Sequence, residues 1–444
     1  MNLDNIGLQV PTILLPNPEV NLSRWAVIAC DQYTSQADYW DQVEALVGDA
    51  TSTLRLTFPE IYLEDADKQE RINHINQAMK RYLADGTLLE QHPGFILVDR
   101  KTSHAASRKG LIVALDLEHY DFSVGTKTLI RATEGTIVER LPPRIKVREN
   151  ADIELPHIMV LIDDPRKSVI EPLFKLNLEK VYDFELMLNG GYIQGYLIDN
   201  PDHINSIAKA IADLAGPNLE KPNDERDILL YAMGDGNHSF ATAKAIWEKI
   251  KTEAKDKLAI MQHPSRYALV ELVNLHDEGL EFEAIHRVLF KSSPELVLDS
   301  MEQYFLRKGI EFILKVCKSI DEAKQIAATQ TQTGTHAIPF SALGYFGVAL
   351  ILNPKLTLEV ASLQAFLDEY LKHHPMAQLD YIHGEDAVAE LCAKPNSMGF
   401  LLPALSKHHL FRSIAQDGVL PRKTFSMGEA DEKRFYLECR KITL

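Results

Sequence analysis

Short apolar runs separated by polar, turn-rich stretches set the pattern along the first two thirds of the chain. Runs of this length bounded by turn residues are typical of buried strands. The strand-like runs occupy residues 22–30, 94–102, 109–122, 155–164 and 228–233. Because only a short link separates the second run from the third, these two are predicted to form a hairpin.

Other segments carry a helical period. It predicts a helix over residues 67–83 and an earlier helix capped by Ser35. From about residue 292, helical and strand patterns alternate at short intervals, which is typical of a small α+β module. We therefore predict an α/β protein of mixed α+β type with a mixed sheet core. Its main domain would span residues 1–290 and its C-terminal module 291–444, whose last segment is able to pack back on the main domain.

Length, charge and cysteine usage narrow the class of protein. A chain of 444 residues exceeds one ordinary core, and its hydrophobic content of 45% is globular. The formal net charge of -16 argues against general binding to nucleic acid or to an anionic membrane. No apolar run reaches about 18 residues, and the four cysteines lack metal-ligand spacing. We expect a cytoplasmic protein without a membrane span.

The most crowded polar stretch is MGDGNHSFATAKAIWE, residues 233–248. An apolar strand precedes it, two glycines allow a tight turn, and a helical pattern follows. The residues of the turn are Gly234, Asp235, Gly236, Asn237, His238 and Ser239. Asn237 and Ser239 are predicted helix caps. A strand, a glycine turn and a helix N-terminus together form a natural anion-binding site.

The acid in this turn indicates a more particular chemistry. Asp235 would repel a bare phosphate, so we interpret it as a ligand for Mg²⁺ or as a base acting on a hydroxyl. His238 is interpreted as a group that holds a phosphate oxygen or carries a proton. The residues alone support a purely structural alternative about equally well. In that alternative the glycines shape the turn, Asp235 and Asn237 cap it, and His238 bonds locally.

A second polar stretch precedes this turn in the chain. It carries Arg131, Thr133, Glu134 and Arg140. Arginine makes forked contacts with phosphate or carboxylate groups, and Glu134 has the chemistry of an acid, a base or a metal ligand. Taken by itself, the stretch is better interpreted as a solvated charged loop.

Weaker candidates follow other predicted strands and turns. Asp31 and Tyr33 follow the first strand, where α/β sheets commonly carry ligand groups, although helix capping is the favoured interpretation. His286 and Arg287 follow an acidic turn and either line a site or, preferably, form a surface pair at a helix start. The two aspartates at 163–164 either hold a cation or shape a turn.

The order of these stretches resembles a known family. A strand followed by DQY, then IRATEGTIVERL, HIMVLIDDP, GDGNHSFATA, VNLHDEGLEFEAIHRVLF and LPRKTF resembles the bacterial proteins grouped as Domain of Unknown Function 1015. The turn is also similar to the DGHHR-type loop of the ParB/sulfiredoxin-like group, which includes a free-serine kinase. This resemblance implies that Gly236, Asn237, His238 and Ser239 hold nucleotide phosphates.

Two positions depart from the DGHHR loop. Asn237 stands for the first histidine, and Ser239 stands for the arginine. Loss of the arginine removes a fixed charge worth about 1.5–3 kcal/mol in a charge-assisted contact. The missing positive charge would then be supplied by Arg131, by Arg140, or by a divalent cation held by Asp235.

Together these features predict a nucleotide-dependent phosphotransferase acting on a small hydroxylated metabolite, with ATP or ADP and Mg²⁺ as cofactors. Asp235 or Glu134 would be the base or the Mg²⁺ ligand, and Arg131 and Arg140 would neutralise developing charge. Two alternatives stay open: a non-catalytic nucleotide- or anion-binding regulator, and a metal-dependent phosphoesterase using the same turn and the acids at 163–164. The expected partners are a substrate and a nucleotide, with no nucleic acid or membrane; the oligomeric state is left open.

Overall fold

The chain divides into two compact units in a computed structural model. The described residues are 3–123, 125–220, 227–331 and 334–444. The first unit contains Met1–Glu281 and Gly428–Leu444, and the second contains Phe282–Met427. The domain boundary predicted after residue 290 stays a prediction.

Strands and helices alternate along both units. The strands are β1 (Leu8–Gln9), β2 (Leu14–Pro16), β3 (Val27–Ile28), β4 (Leu88–Glu90), β5 (Phe95–Lys101), β6 (Arg108–Asp116), β7 (Ile130–Arg131), β8 (Ile153–Glu154), β9 (Met159–Ile162), β10 (Glu179–Glu185), β11 (Tyr192–Ile198), β12 (Tyr231–Asp235), β13 (Tyr267–Asn274), β14 (Phe282–Phe290), β15 (Phe312–Cys317), β16 (His336–Ala342), β17 (Tyr345–Ile351), β18 (Gln378–His383), β19 (Ser397–Phe400), β20 (Phe425–Met427), β21 (Phe435–Tyr436) and β22 (Arg440–Lys441). The α-helices are α1 (Leu22–Trp25), α2 (Ala37–Val47), α3 (Lys68–Ala84), α4 (Leu141–Arg148), α5 (Pro201–Ala215), α6 (Asn237–Glu253), α7 (Pro294–Arg307), α8 (Ile320–Thr331), α9 (Glu359–His373), α10 (Glu385–Cys392) and α11 (Lys407–Asp417). The predicted mixed α/β class is confirmed.

The first unit is organised by a mixed sheet. Its strand order is β10-β11-β5-β6-β13-β9-β12-β7, and β1 pairs with β6. The β13–β9 and β12–β7 pairs are parallel, and the others are antiparallel. Asp235 at the end of β12 is paired with Met159 at the start of β9. This register places the residues before β9 next to the C-terminal end of β12.

Both faces of this sheet are buried. Along β6, Leu111 and Val113 belong to one core cluster, and Ile112 between them belongs to the other. Leu97 and Ile96 of the neighbouring β5 divide in the same way. Because successive side chains of a strand point to opposite faces, burial on both faces produces the near-continuous apolar runs seen in the sequence.

The second unit is a smaller α+β arrangement. Its antiparallel sheet has the order β15-β17-β16-β19-β14-β18, with β20 paired to β14. Ala323 of α8 shares a buried cluster with Val348, and Cys392 of α10 shares another with Val288. The alternation of helices and strands predicted after residue 292 therefore corresponds to helices packed on one sheet.

Several element predictions need correction. Residues 22–30 form α1 followed by the short β3 and not one strand, because the Asn21 side chain accepts the N–H of Ser23 and caps a helix. Ser35 does not cap α2, since Gln36 occupies that position. The strand predicted over 155–164 begins only at Met159, and the strand predicted over 109–122 ends at Asp116.

Candidate functional site

The turn between β12 and α6 depends on a left-handed glycine. Gly236 has φ 78° and ψ 25°, and a Cβ atom there would lie 3.1 Å from the Cα of Ile158. Gly236 is also the N-cap of α6, and no side chain caps the helix. The predicted capping roles of Asn237 and Ser239 are therefore wrong. Gly234 lies within β12.

Asp235 is held in its ionised form at this turn. Its Oδ1 accepts the backbone N–H of Gly236 at 2.8 Å, and its Oδ2 lies 3.3 Å from the Nζ of Lys433. Burial raises the pKa of the Asp235 carboxyl, but the charges of Lys433 and His157 outweigh burial and hold that pKa below its ordinary value. The turn therefore combines a carboxylate with an ammonium group at a helix N-terminus.

His157 connects the turn to three other side chains. Its Nε2 lies 3.1 Å from the Oγ of Ser239, and its Nδ1 lies 2.8 Å from the hydroxyl of Tyr436. The Tyr436 oxygen also accepts the N–H of Cys30 at 3.2 Å. His157 thus links the Ser239 hydroxyl and the Tyr436 hydroxyl to the Asp235 turn.

Asp31 completes a group of side chains that we call the Asp235 cluster. Its members are Asp31, His157, Asp235, Ser239, Lys433 and Tyr436. The Oδ2 of Asp31 lies 3.7 Å from the Nε2 of His157, and its Oδ1 accepts the side-chain N–H of Gln32 at 3.0 Å. Tyr33, the other candidate from that segment, has φ 52° and stacks on Tyr39 with ring centroids 3.7 Å apart. Asp31 is thus brought to the Asp235 turn, whereas the ring of Tyr33 packs against another ring.

His238 is uncharged near neutral pH. The backbone N–H of Ile137 donates to its Nε2 at 3.3 Å. Burial, with the nearby charges of Arg144 and Arg140, lowers the pKa of His238 from 6.5 to about 4. With Nε2 accepting, the ring hydrogen resides on Nδ1. His238 can therefore donate one hydrogen bond but contributes no positive charge.

The 131–140 stretch contacts the strand that leads to the turn, but its side chains bind different groups. β7 pairs with β12, and the hydroxyl of Thr133 donates to the Met233 carbonyl at 2.7 Å. The buried Arg131 forms an ion pair with Asp227 at 2.7 Å. Arg131 is therefore engaged with an acid outside the Asp235 cluster.

The other two residues of that stretch lie in loop segments. Glu134 is half-buried, three residues after the end of β7. Arg140 is exposed at the end of the 3-10 helix Val138–Arg140, close enough to His238 to lower the pKa of that ring.

His286 and Arg287 belong to the second unit and have structural partners there. Both lie in the buried β14, so the predicted surface pair is wrong. His286 accepts the N–H of Leu402 at 3.1 Å through Nδ1, and Arg287 donates to the Oε1 of Gln364 at 2.9 Å. The Asp235 cluster is built entirely from the first unit, so these two residues are not part of it.

The aspartates at 163–164 shape a turn and also contact a histidine. Asp164 is fully buried and accepts the N–H of Val169 at 2.8 Å. Asp163 lies 2.7 Å from the Nε2 of His276. Turn formation, one of the two interpretations considered for the pair, accounts for Asp164.

Sequence reasoning missed most partners of Asp235. They are His157 and Lys433. Sequence reasoning also missed Tyr436, which contacts His157, and the ion pair between Arg144 and Glu60, whose atoms Nη2 and Oε1 are 2.5 Å apart. The only sequence signals were the position of His157 just before an apolar strand and the presence of Arg144 in a basic stretch. Neither signal connects these residues to the turn.

Metal-binding clusters and membrane-spanning helices are both absent from the described residues. Across residues 3–123, 125–220, 227–331 and 334–444, no three or more His, Cys, Asp or Glu side chains are grouped so as to hold a metal ion. Over the same residues, none of the helices combines the length and apolar character needed to cross a bilayer.

These features define a mixed α/β protein with a polar site at the end of β12, the second strand from one edge of the sheet. The family model described as "Protein of unknown function (DUF1015)" matches residues 12–381, so the chain belongs to this family. The predicted family resemblance is confirmed. None of the curated proteins matches the chain.

Solved structures resemble the chain at low identity. A mutant of free serine kinase in complex with AMP is 12% identical with a TM-score of 0.41, and the match covers 78% of this chain and 95% of that chain. A conserved hypothetical protein from Pyrococcus furiosus is 12% identical with a TM-score of 0.36, covering 75% and 95%. SbnI with a C-terminal truncation, from Staphylococcus aureus, is 8% identical with a TM-score of 0.35, covering 71% and 82%. Similarity at this level carries no information about the activity of this chain.

Proposed function

We propose that the Asp235 cluster binds the phosphates of a nucleotide, ATP or ADP, and catalyses phosphoryl transfer to the hydroxyl of a small metabolite. The observation that carries this proposal is the ion pair between Asp235 and Lys433, 3.3 Å apart, at the N-terminus of α6. A phosphate and its divalent counter-ion need an anion-binding helix end, a cation and a carboxylate in one place.

The donors around the start of α6 suit an anion. The first backbone N–H groups of a helix lack intrahelical acceptors, and the helix dipole favours negative charge there. Lys433 adds an ammonium group, and the charges of Arg144 and Arg140 add to the effect of burial in lowering the pKa of His238. The hydroxyl of Ser239, 3.1 Å from the Nε2 of His157, is proposed as a further donor. These cations replace the arginine for which Ser239 stands in the DGHHR loop.

Asp235 fits a metal ion that arrives with the nucleotide. Mg²⁺ in nucleotide sites keeps several waters and uses one or two carboxylates together with phosphate oxygens. Asp235 is ionised, since Lys433 and His157 hold the pKa of its carboxyl down. Bound Mg²⁺ would neutralise phosphate charge. Glu134, three residues after the end of β7, is the second carboxylate proposed for this role.

Asp31 is the carboxylate we assign as proton acceptor. Its Oδ2 lies 3.7 Å from the Nε2 of His157, whereas Asp235 is engaged by Lys433 and by the N–H of Gly236. A substrate hydroxyl next to His157 and Ser239 would therefore meet a base and a hydrogen-bond donor together. Phosphoryl transfer depends mainly on such positioning and on neutralisation of charge.

Titration calorimetry with ATP and ADP, each with and without Mg²⁺, tests this proposal. Lys433→Met should weaken nucleotide binding at least tenfold, because it removes the cation beside Asp235. Lys441→Met is the matched control, since Lys441 belongs to the same C-terminal segment but is 49% exposed and pairs with Glu90. The proposal fails if neither nucleotide binds to the wild-type protein at millimolar concentration.

Two other outcomes would redirect the assignment. Tight nucleotide binding without turnover, left nearly intact by Asp235→Asn, would indicate a regulatory binding protein. Release of phosphate from generic phosphoesters, abolished by a chelator, would indicate a metal-dependent phosphoesterase.

A further inference from the structure

A cavity of about 140 Å³ adjoins the Asp235 cluster in the first unit. Its walls come from the segment before α3, from α3 and α4, from the residues around β8 and before β9, and from the first turns of α6. His157 and Ser239 line the cavity and also belong to the hydrogen-bond chain of the cluster. A molecule in this cavity therefore lies beside His157 and Ser239, and the Oδ2 of Asp31 is 3.7 Å from the Nε2 of His157.

Most of the wall is apolar. The apolar lining residues include Leu56, Phe58, Met79, Val147, Ile153 and Leu155. Such a wall favours a ligand whose body is hydrocarbon, because apolar surface of the ligand leaves water on binding.

Several polar lining residues already have protein partners. Glu154 is paired with Arg440 at 2.7 Å and with Arg148 at 2.6 Å. The hydroxyl of Thr57 donates to the Thr53 carbonyl at 3.0 Å. The polar groups left to contact a ligand are those of His157, Ser239 and Tyr436 and the Glu60–Arg144 ion pair.

The cavity size sets the size of the ligand. A cavity of about 150 Å³ in another protein accommodates benzene, so this one holds a body of about six non-hydrogen atoms. A nucleotide is several times larger. The cavity is therefore suited to the molecule that receives the phosphate.

We propose that this cavity binds the acceptor substrate, and that the acceptor is a small alcohol with an apolar body and its hydroxyl beside His157 and Ser239. The assignment rests on the proposed phosphotransferase function. With ATP as donor, the alcohol oxygen forms a bond to the terminal phosphorus while the bond from that phosphorus to the bridging oxygen breaks. ADP leaves with the electron pair of that bond, and the hydroxyl proton passes to Asp31.

Ligand-observed NMR titration of the full-length protein with benzyl alcohol and with glycerol, both without nucleotide, tests the assignment. Benzyl alcohol should bind at least tenfold more tightly than glycerol. Val147→Phe should weaken benzyl alcohol binding at least tenfold, since the larger ring fills the cavity. Val138→Phe is the control, because Val138 is 58% exposed and does not line the cavity.

A second variant keeps the test decisive if Val147→Phe fails to fold. Val147→Ala enlarges the cavity and should shift the preference from benzyl alcohol towards the longer 2-phenylethanol. Equal binding of glycerol and benzyl alcohol, or an unchanged preference in Val147→Ala, would overturn the assignment.

Nucleotide calorimetry on the same samples separates the two proposals. Nucleotide binding without alcohol binding overturns only the acceptor cavity, and alcohol binding without nucleotide binding overturns the phosphotransferase proposal.

Discussion

Arg434 holds two buried carboxylates together in the first unit. Its guanidinium donates to Glu271 and Glu438, and its Nε donates to the carbonyl of Pro156 at 3.0 Å. The side chains of Arg434, Glu271 and Glu438 expose 3%, 2% and 0% of their surface. Replacing Arg434 with Met keeps most of the volume of the stem but removes the cation, so two carboxylates remain in a dry interior.

The cost of this replacement follows from burial. Burial raises the pKa of Glu271, and the charges of Arg434 and Arg108 reverse that effect and hold the pKa below its ordinary value. Removing one partner from a buried ion pair costs about 3–5 kcal/mol, and we expect the first unit to lose about this much free energy of unfolding. Arg71→Met, whose side chain is 40% exposed and pairs with Asp67, should cost about 1 kcal/mol or less.

The effect of Arg434→Met should depend on pH with a defined sign. A carboxyl whose pKa is lowered by folding stabilises the protein above its unfolded pKa, and this contribution is lost as pH falls through the folded pKa. Without the Arg434 cation the pKa of Glu271 is lowered less, so the variant has less of this stabilisation to lose as the pH falls. The difference in stability between wild type and variant should be largest near neutral pH and narrow as the pH falls.

Urea unfolding followed by tryptophan fluorescence measures this difference in the first unit alone. The tryptophans of the chain all belong to that unit and are buried: Trp25, Trp40 and Trp247. With a slope of about 3 kcal/mol/M, the midpoint of Arg434→Met should fall by about 1 M or more. A midpoint within the range of Arg71→Met at pH 7, or a difference that widens as pH falls, would refute the reasoning.

Three further predictions concern the turn and the second unit. Gly236→Ala should destabilise the first unit by about 1–2 kcal/mol in the same urea assay, because φ is 78° and the new methyl meets Ile158; an unchanged midpoint would contradict this. The imidazole of His238 should titrate near pH 4 by NMR, and a midpoint near 6.5 would show that it is not held neutral. Arg287→Met should destabilise the second unit by about 2–4 kcal/mol, because it leaves the Oε1 of Gln364 without this donor; faster hydrogen exchange in β14 would show the loss, and unchanged exchange would exclude it.

Apolar patterning predicted the long strands and helices well. β5 and β6 were found because burial on both sheet faces makes their sequences continuously apolar, and α3 was found from its helical period. Residues 22–30 were misread because a short apolar run fits a helix or a strand equally well. In this segment the helix forms because the Asn21 side chain caps α1 with a hydrogen bond, and the apolar content of the sequence does not reveal that bond.

The candidate site was only partly predictable. The crowded turn at Asp235 is local in sequence, so its glycines and polar residues were recognised. His157 arrives through the register of β9 against β12, and Lys433 arrives with a C-terminal segment held by buried arginines. Arg100 donates to the Asp431 carbonyl at 2.7 Å, and Arg108 donates to that of Glu432 at 2.9 Å. Such long-range contacts leave no local pattern in a single sequence.

A crystal structure of the protein with ADP and Mg²⁺ at millimolar concentration tests the central claim most directly. We expect phosphate oxygens within hydrogen-bond distance of the backbone N–H groups at 237–239 and of the Nζ of Lys433, with Mg²⁺ between Asp235 and the phosphates. A nucleotide bound elsewhere with the start of α6 unoccupied, or no bound nucleotide at that concentration, would contradict the phosphotransferase assignment.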